Sequence, residues 1–224
     1  MRNDYEGNYL MHHGVPGQKW GVRNGPPYPL NSDKLASKLH KEARKNEPKI
    51  TRDVTYAANL AGSKMYGLEH KLKTLESTSR KIRTDAEEKR ISEFESAVNI
   101  KDAVRYTTIS NDDSFVSSYN KFKETLEDKG YSETRCRNYF EMYREGKVKH
   151  KSVQSVFKSP DGYNFEVQFQ TPSSQDAKNK KIPIYEERRK TGLSKERQQE
   201  LEKQMDDLAK AVPDPKDISK IKSH

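Results

Sequence analysis

Three segments of the chain combine basic side chains with carboxylates at spacings that could support phosphate chemistry. They cover residues 71–82, 100–106 and 166–171. Transfer of a phosphate-containing group needs cations around the phosphate oxygens and carboxylates that hold Mg²⁺, because the protein mainly positions the reactants and neutralises charge. The first segment supplies lysines, and the other two supply Asp102 and Glu166. These segments are therefore the candidate parts of a phosphate-handling site.

The order and spacing of the three segments resemble the synthetase domain of the RelA/SpoT alarmone enzymes. That family's patterns are approximately R-x-K-x-x-x-S-x-x-x-K, D-x-x-G-x-R and E-x-Q-x-R-T, and the likeness covers about residues 60–190. Residues 163–172, followed by Lys178 and by Tyr185-Glu186-x-x-Arg189, are more similar still to the divergent RelA/SpoT-like domains of bacterial polymorphic toxins and phage-encoded proteins. The resemblance implies an α/β fold of the nucleotidyltransferase type, with a mixed β-sheet flanked by helices.

The resemblance also implies roles for individual residues. Asp102 is the expected first ligand of Mg²⁺, and Glu166 is the expected second carboxylate, which assists metal binding or deprotonates the attacking hydroxyl. Both are thus predicted catalytic residues and metal ligands. The implied reaction is Mg²⁺-dependent transfer of pyrophosphate from ATP to a hydroxyl group of a nucleotide or an RNA. The expected nucleotide-binding residues are Lys71, Lys73, Ser77, Lys81, Arg105, His150, Lys151 and Gln168.

The chain departs from the family patterns at four places. Lys71 stands where the family usually has arginine, whose planar guanidinium can stack on a base. Asp102 and Arg105 are three positions apart rather than five, with no glycine between them. The segment beginning at His150 approximates a G-x-x-S-x-H region in which the family places a tyrosine against the acceptor guanine, so His150 is the stacking candidate here. Gln170 replaces the usual basic residue of the third pattern.

The same residues also have a purely structural interpretation. Asp102 could cap a strand, Glu166 could be an exposed strand residue, and the lysines could cover a solvated helix face. For function, the alternative is a catalytically inactive phage virion protein that is structural or binds nucleic acid. The net charge of +9 predicts attraction to polyanions under either interpretation.

The elements that must position these residues can be predicted from local patterns. Residues 103–110 are rich in β-branched and aromatic types and predict a strand. A turn and a helix over 115–129 follow, and Gly130 is a suitable end for that helix. The other expected elements are helices over 32–45, 60–90, 173–189 and 194–212, and strands within 138–143, 152–158 and 164–171.

The last predicted strand has the clearest alternation. Apolar and polar residues alternate along it from Phe165 to Gln170. Because successive side chains of a strand point to opposite faces, one face is expected in the core and the other presents polar groups in a row. Glu166 and Gln168 are thereby expected to share the polar face.

Composition limits how much of the chain can form a core. Of 224 residues, 34% are charged and 31% are apolar, and the apolar residues are scarce in the first quarter. We therefore expect one folded domain with appended segments. The predicted boundaries are a flexible Gly/Pro-rich arm over 1–32, a helical linker over 33–59, a RelA/SpoT-like domain over 60–212 and a flexible tail over 213–224.

Two classes of protein are excluded by simple counts. The single cysteine, Cys136, excludes an internal disulfide framework and a cysteine-rich zinc site. Apolar runs fall well short of the ~20 residues that a membrane span needs, and the first residues do not resemble a signal peptide. No membrane partner is expected.

An unusual peptide lies in the predicted arm. Residues 12–23, HHGVPGQKWGVR, resemble an H-x-G-x-x-G-x-K-W-G-V-R peptide found in proteins of phage and prophage head-gene regions. The resemblance implies association with phage, capsid proteins as partners, and a location in the host bacterial cytoplasm or in the virion. Trp20 is either an exposed recognition residue or an anchor on the main domain.

Overall fold

A computed structural model describes residues 31–189 and 192–224 of the chain. These residues form two compact units. Unit 1 contains the described residues up to Lys45 together with Lys73–Ala103, and unit 2 contains Asn46–Leu72 together with Val104–His224, apart from residues 190–191. The predicted arm, linker, domain and tail have different boundaries from these units. The peptide at residues 12–23 lies outside the described residues.

Helix α1 spans Ser32–Leu60 and contributes residues to both units. Its predicted end at Lys45 is wrong, because the helix continues through Pro48. An internal proline removes one backbone hydrogen bond, but the buried residues Ile50 and Val54 recur at helical spacing after it. Burial of this apolar face therefore outweighs the local cost of the proline.

The predicted continuous helix over residues 60–90 is also wrong. A short strand, β1 (Lys64–Tyr66), and a 3-10 turn (Leu68–His70) occupy its first part, in unit 2. Gly62 and Gly67 have positive φ angles of 66° and 62°, which glycine adopts readily and a right-handed helix does not contain. These two residues therefore interrupt the helix that the apolar spacing favours.

Unit 1 also contains helix α2 (Leu75–Lys89) and helix α3 (Glu93–Val98). Thr74 caps α2, because its side-chain oxygen accepts a hydrogen bond from the Ser77 N–H at 3.2 Å. Such a cap satisfies one of the free N–H groups at a helix start. Ile82 is fully buried on the inner face of α2. The cap thus sets the start of the helix within the first basic segment.

Unit 2 contains a five-stranded sheet in the order β1-β2-β5-β4-β3. β2 and β5 are parallel, and the other neighbouring strands are antiparallel. The expected mixed α/β sheet flanked by helices is therefore confirmed. In addition to β1, the strands are β2 (Arg105–Ile109), β3 (Ser132–Asn138), β4 (Val153–Lys158) and β5 (Asn164–Gln170).

Helices accompany the sheet in unit 2. Their ranges are α4 (Phe115–Glu127), α5 (Tyr139–Arg144), α6 (Pro172–Arg188) and α7 (Lys195–Lys210). Phe122 of α4 contacts Phe169 of β5, with ring centroids 5.1 Å apart, so the core lies between α4 and the apolar face of the sheet. Within the described ranges, no helix is both long and apolar enough to span a membrane.

The predicted strand within residues 138–143 is wrong, because β3 ends at Asn138 and α5 begins at Tyr139. The Oδ1 atom of Asn138 accepts hydrogen bonds from the N–H groups of Phe140 and Glu141, at 3.2 and 3.3 Å. This is the geometry of a helix N-cap. The aromatic residues favour a strand locally, but the cap and the burial of Phe140 favour a helical turn.

The carboxyl-terminal residues pack against β3. His224 and Cys136 exchange two backbone hydrogen bonds of 3.0 Å. The side-chain amide of Asn138 donates to the carbonyl groups of Ile218 and Ile221, both at 2.9 Å, and both isoleucines are buried. The segment that was expected to be a flexible tail is therefore packed in unit 2. The rest of unit 2 supplies the apolar contacts that the segment lacks by itself.

Candidate active site

In unit 1, two lysines of the first basic segment contact the carboxylate of Asp102. The Nζ atoms of Lys73 and Lys81 lie 2.8 and 3.2 Å from Oδ2 of Asp102. The side chains of Lys73 and Asp102 are only 11% and 13% exposed. Lys81 projects from α2, Lys73 precedes that helix, and Asp102 follows α3. The structure therefore brings three of the predicted site residues together.

The two ammonium groups control the ionisation of Asp102. Burial by itself would raise the pKa of this carboxyl, but the charges and hydrogen bonds of Lys73 and Lys81 outweigh burial and lower its pKa below the usual value. Asp102 is thus a carboxylate at neutral pH, which is the form that binds a divalent cation.

The second oxygen of this carboxylate fits a metal ion. Oδ1 of Asp102 is buried and has no hydrogen-bond partner among the described residues, which is uncommon for a buried polar atom. Mg²⁺ is usually held by one or two carboxylates together with waters and substrate phosphates. Within the described residues, no three His, Cys, Asp or Glu side chains are grouped to hold a metal ion. Mg²⁺ at Asp102 would therefore take most of its ligands from water and substrate.

Ser77 and Lys71 are placed differently from these three residues. Ser77 lies in the first turn of α2, and its hydroxyl accepts a hydrogen bond of 3.4 Å from the Arg80 guanidinium. Lys71 belongs to unit 2, where its Nζ lies 3.3 Å from Oε1 of Glu47. The structure thus divides the first segment between two units and gives Lys71 a carboxylate partner.

In unit 2, a row of hydrogen bonds joins β5 to α6. Gln168 donates from Nε2 to Oε1 of Glu166 at 2.6 Å, and its Oε1 accepts from Nζ of Lys178 at 2.5 Å. Glu166 and Gln168 share one face of β5, while Phe165 and Val167 alternate with them. The predicted alternation is confirmed. Glu166 is only 9% exposed, however, so the interpretation of it as an exposed strand residue is wrong.

Arg105 occupies the strand next to Glu166. β2 and β5 run parallel with Arg105 paired to Glu166 in register. The N–H of Glu166 donates to the carbonyl of Val104 at 3.0 Å. The sheet register therefore brings a predicted nucleotide-binding cation and the predicted base to neighbouring positions of two strands.

A cavity of about 160 Å³ lies in unit 2 at the Gln168 end of this row. Four basic residues line it: His150, Lys151, Lys178 and Lys181. Serine, glutamine and small apolar side chains complete the lining, and it contains no Asp or Glu. The cavity is therefore suited to an anion.

Burial changes the pKa of three of these basic groups. Burial, followed by the charge of Arg105, lowers the pKa of Lys178 to about 8. Burial also lowers the pKa of Lys181 to about 8. Burial and then the charges of the two lysines lower the pKa of His150 to about 4. At pH 7 both lysines are therefore cationic, and the imidazole is neutral.

His150 and Lys151 each have a partner within unit 2. The ring of His150 packs on Tyr139, with centroids 4.2 Å apart and planes at 41°. The Nζ of Lys151 donates to the carbonyl of Val212 at 2.7 Å and lies 3.0 Å from Oδ1 of Asp214. A nucleotide contact from Lys151 would compete with this pair, whereas His150 lines the cavity directly.

Sequence reasoning missed Lys181 and assigned no role to Lys178. Both lie on α6, three positions apart, and residues at that spacing share a helix face. The helix directly follows the strand that carries Glu166. Basic residues at helical spacing after the third segment were therefore a signal that could have identified them.

Solved structures share this fold at low sequence identity. Small alarmone synthetase 1 from Bacillus subtilis matches with a TM-score of 0.50 and 14% identity, over 81% of this chain and 92% of that chain. The same synthetase bound to its product pppGpp gives 0.49 and 13%, over 76% and 88%. The complex of the type VI effector Tas1 with its immunity protein gives 0.48 and 17%, over 80% and 98%. No protein-family model and no curated protein matches the chain.

Proposed function

We propose that this chain transfers pyrophosphate from ATP to a hydroxyl group of a nucleotide or an RNA, with Mg²⁺ as cofactor. The acceptor oxygen forms a bond to the β-phosphorus of ATP. The bond between that phosphorus and the oxygen bridging to the α-phosphate breaks, and AMP leaves with the bridging oxygen. The hydroxyl proton passes to a base on the protein.

The observation that carries this proposal is the arrangement around Asp102. Lys73 and Lys81 hold one carboxylate oxygen, and the other is buried without a partner among the described residues. When pyrophosphate is transferred, negative charge develops on the leaving oxygen of the triphosphate. Cations beside a metal-binding carboxylate would stabilise that charge. When bound, Mg²⁺ would neutralise charge on the phosphate oxygens. In this proposal the two lysines contact the phosphates of ATP.

Glu166 is the proposed base for the acceptor hydroxyl. One of its oxygens accepts a hydrogen bond from Gln168, so the neighbouring amide fixes the orientation of the carboxylate. A positioned base of this kind contributes about 10²–10⁴-fold to rate. We assign Glu166 a share in metal binding as well. The other proposed nucleotide contacts are Lys71, Ser77, Arg105, His150, Lys151 and Gln168.

The fold supports a reaction of this class by analogy, because small alarmone synthetase 1 has the same architecture. We further propose that the protein is a phage or prophage effector that acts in the host cytoplasm or is carried in the virion. The support for that origin is the peptide at residues 12–23, through which capsid proteins would bind.

The direct test is AMP formation. The full chain would be incubated with ATP, Mg²⁺ and each nucleotide or RNA acceptor in turn, and AMP would be measured by chromatography. We expect AMP that depends on one acceptor and on Mg²⁺. Asp102→Asn should abolish it, whereas Asp85→Asn should not, because Asp85 pairs with Lys89 four positions along α2.

Absence of AMP with every acceptor would contradict the proposal. Salt-sensitive binding to nucleic acid without turnover would then favour the inactive virion or nucleic-acid-binding alternative, because counterion release makes such binding weaken steeply with salt.

A further inference from the structure

Two apolar side chains on α3, in unit 1, are exposed. Phe94 is 62% exposed, more than any other large apolar side chain in the described part of the chain, and Val98 is 56% exposed. They are four positions apart on the helix, and residues at that spacing are neighbours on a helix surface. Phe94 and Val98 therefore form one apolar patch, the α3 patch, which the described residues leave largely uncovered.

The part of the chain that carries the α3 patch is acidic. Residues 85–99 contain five acidic and two basic side chains, although the chain as a whole has a net charge of +9. Glu95 is exposed on α3, and Glu87 and Glu88 are exposed at the end of α2, which three residues join to α3. Within the described residues, none of these three glutamates belongs to an ion pair, and Lys101 donates instead to the last carbonyl group of α3 at 3.1 Å. A segment that binds the patch should therefore be apolar at its centre and basic at its ends.

One segment of this chain has that composition. Residues 19–23 read Lys-Trp-Gly-Val-Arg, so Trp20 and Val22 lie between two basic residues. The surrounding peptide, residues 12–23, contains no Asp or Glu. A tryptophan side chain buries about 150–250 Å², so one ring can cover two neighbouring side chains of a helix. The segment therefore complements the α3 patch in both apolar surface and charge.

The chain is long enough to bring this segment to the α3 patch. Ser32, at the start of α1, accepts a hydrogen bond of 3.1 Å from the Ser79 hydroxyl of α2, within unit 1. The last residue of α2, Lys89, lies ten positions after Ser79, which is about 15 Å of helix, and α3 begins after three more residues. Trp20 precedes Ser32 by twelve positions, and a chain of that length can span about 40 Å. Trp20 can therefore reach α3 of its own chain.

We propose that residues 19–23 dock on the α3 patch of the same chain. Trp20 covers the two apolar side chains, and burial of its ring removes apolar area from water on both sides of the contact. Lys19 and Arg23 lie beside the exposed glutamates, where exposed charges set the orientation of the segment more than its affinity. The docking makes Trp20 an anchor, and it does not depend on the catalytic reaction. A capsid protein that binds the same peptide would compete with α3 for it.

Tryptophan fluorescence of the full chain tests the docking, because Trp20 is the only tryptophan. A synthetic peptide of residues 12–23 gives the reference for an exposed ring. The emission of the wild type should lie to the blue of the peptide emission, and acrylamide should quench it less. Phe94→Ser should move both values to those of the peptide. Ile182→Ser is the matched control and should keep the wild-type values, because Ile182 is exposed to a similar extent, 56%, but lies on α6.

Charge reversal tests the contact without changing the apolar patch. The variant Lys19→Glu, Arg23→Glu should be quenched more than the wild type, and so should Glu95→Lys, because each places like charges together. The combination of all three substitutions should be quenched less than either variant, since opposite charges face each other again. Circular dichroism melts of every variant verify that each is folded.

Three results would overturn the proposal. The first is quenching of the wild type that equals quenching of the peptide, and the second is wild-type fluorescence in Phe94→Ser. The third is emission that returns to the peptide value on dilution, because the segment would then bind a second copy of the chain. None of these measurements involves AMP, so their outcome is independent of the proposed function.

Discussion

The side chain of Gln168 donates a hydrogen bond of 2.6 Å to the carboxylate of Glu166, two residues earlier on the same strand. The other end of the same amide accepts from Lys178. The carboxylate of Glu166, the amide of Gln168 and the ammonium group of Lys178 therefore form one hydrogen-bonded row that joins β5 to α6. Because both ends of the amide are engaged, its orientation is fixed by the row itself.

Glu166→Gln should lower the activity strongly and the folding stability only slightly. The substitution keeps the size of the side chain and an oxygen for Gln168, but it replaces a hydrogen bond to a charged group by a neutral one, so we expect a cost of about 1 kcal/mol. Turnover should fall by roughly 10²-fold or more, because the base is lost. Urea denaturation and AMP formation measure the two effects. Glu145→Gln is the exposed control, and full activity in Glu166→Gln would contradict the assigned role.

Lys73→Ala should destabilise the protein more than Lys81→Ala. Lys73 is largely buried beside Asp102, and removal of one partner from a buried ion pair costs about 3–5 kcal/mol. Lys81 is partly exposed, and such pairs contribute about 0.2–1 kcal/mol. Because Lys81 still contacts Asp102, Lys73→Ala should lie at the low end of its range. Denaturant titration gives both values, and calorimetry with ATP should show weaker binding in both variants.

The double variant Lys73→Ala, Asp102→Asn tests why Lys73→Ala loses folding stability. Removing the buried charge should restore part of the stability lost in Lys73→Ala, since the remaining cost comes from an unpaired carboxylate. A double variant less stable than either single one would show that the two side chains act independently of each other.

The stability that Asp102 contributes should be lost in acid. The pKa of Asp102 is lowered in the folded state, so the unfolded chain takes up the proton first as pH falls. The contribution is thus complete above the unfolded pKa of about 3.9 and disappears as pH falls through the lower folded value. The unfolding free energies of the wild type and Asp102→Asn, measured from pH 7 to pH 2.5, should converge below about pH 4. A constant difference would contradict the ion pairs at this carboxyl.

Lys178 should give a pH dependence of the same sign in the alkaline range. Its pKa of about 8 in the folded state lies below the unfolded value of about 10.4. Between these values the unfolded chain binds more protons, so stability rises with pH. The wild type should therefore gain stability relative to Lys178→Met from about pH 8 to pH 10.4. Lys180→Met should show no such trend, and a flat difference for Lys178→Met would indicate a compensating anion beside it.

The carboxyl-terminal segment should contribute to global stability. Ile221 is buried against the residues around Asn138, and an Ile→Ala change in a core costs about 2–5 kcal/mol. Ile182 on α6 is exposed, so Ile182→Ala should stay within about 0.5 kcal/mol. Thermal melts compare the two. Equal melting temperatures for the two variants would mean that the segment behaves as a freely extended tail.

Several elements could be predicted because their signals are local. The β-branched run of β2, the hairpin of β4 and β5, and the helix that ends before Gly130 all occur close to the expected positions. The alternation from Phe165 to Gln170 correctly assigned the two faces of β5. Residue preference and side-chain direction depend on the nearest few positions, so the sequence alone carries that information.

In two of the incorrect predictions, burial of side chains in the folded protein outweighed a local preference, at Ile50 and Val54 of α1 and at Phe140 of α5. Because Ile50 and Val54 are buried, α1 continues past Pro48. Because Asn138 caps the following residues, the aromatic run after it forms a helix. Local propensity opposed both outcomes. Tertiary packing can override such preferences because each is worth at most a few kcal/mol.

The amino-acid sequence by itself determined the mixed α/β class, the shared face of Glu166 and Gln168, and the choice of Asp102, Lys73 and Lys81 as candidates. Only the tertiary structure decided that one oxygen of Asp102 is held by two lysines, that Glu166 is buried, and that α6 adds Lys178 and Lys181 to a basic cavity. The physical reason is that burial and charge compensation are properties of side chains brought together by folding. Their effects on pKa and binding depend on distances in space that spacing along the chain does not specify.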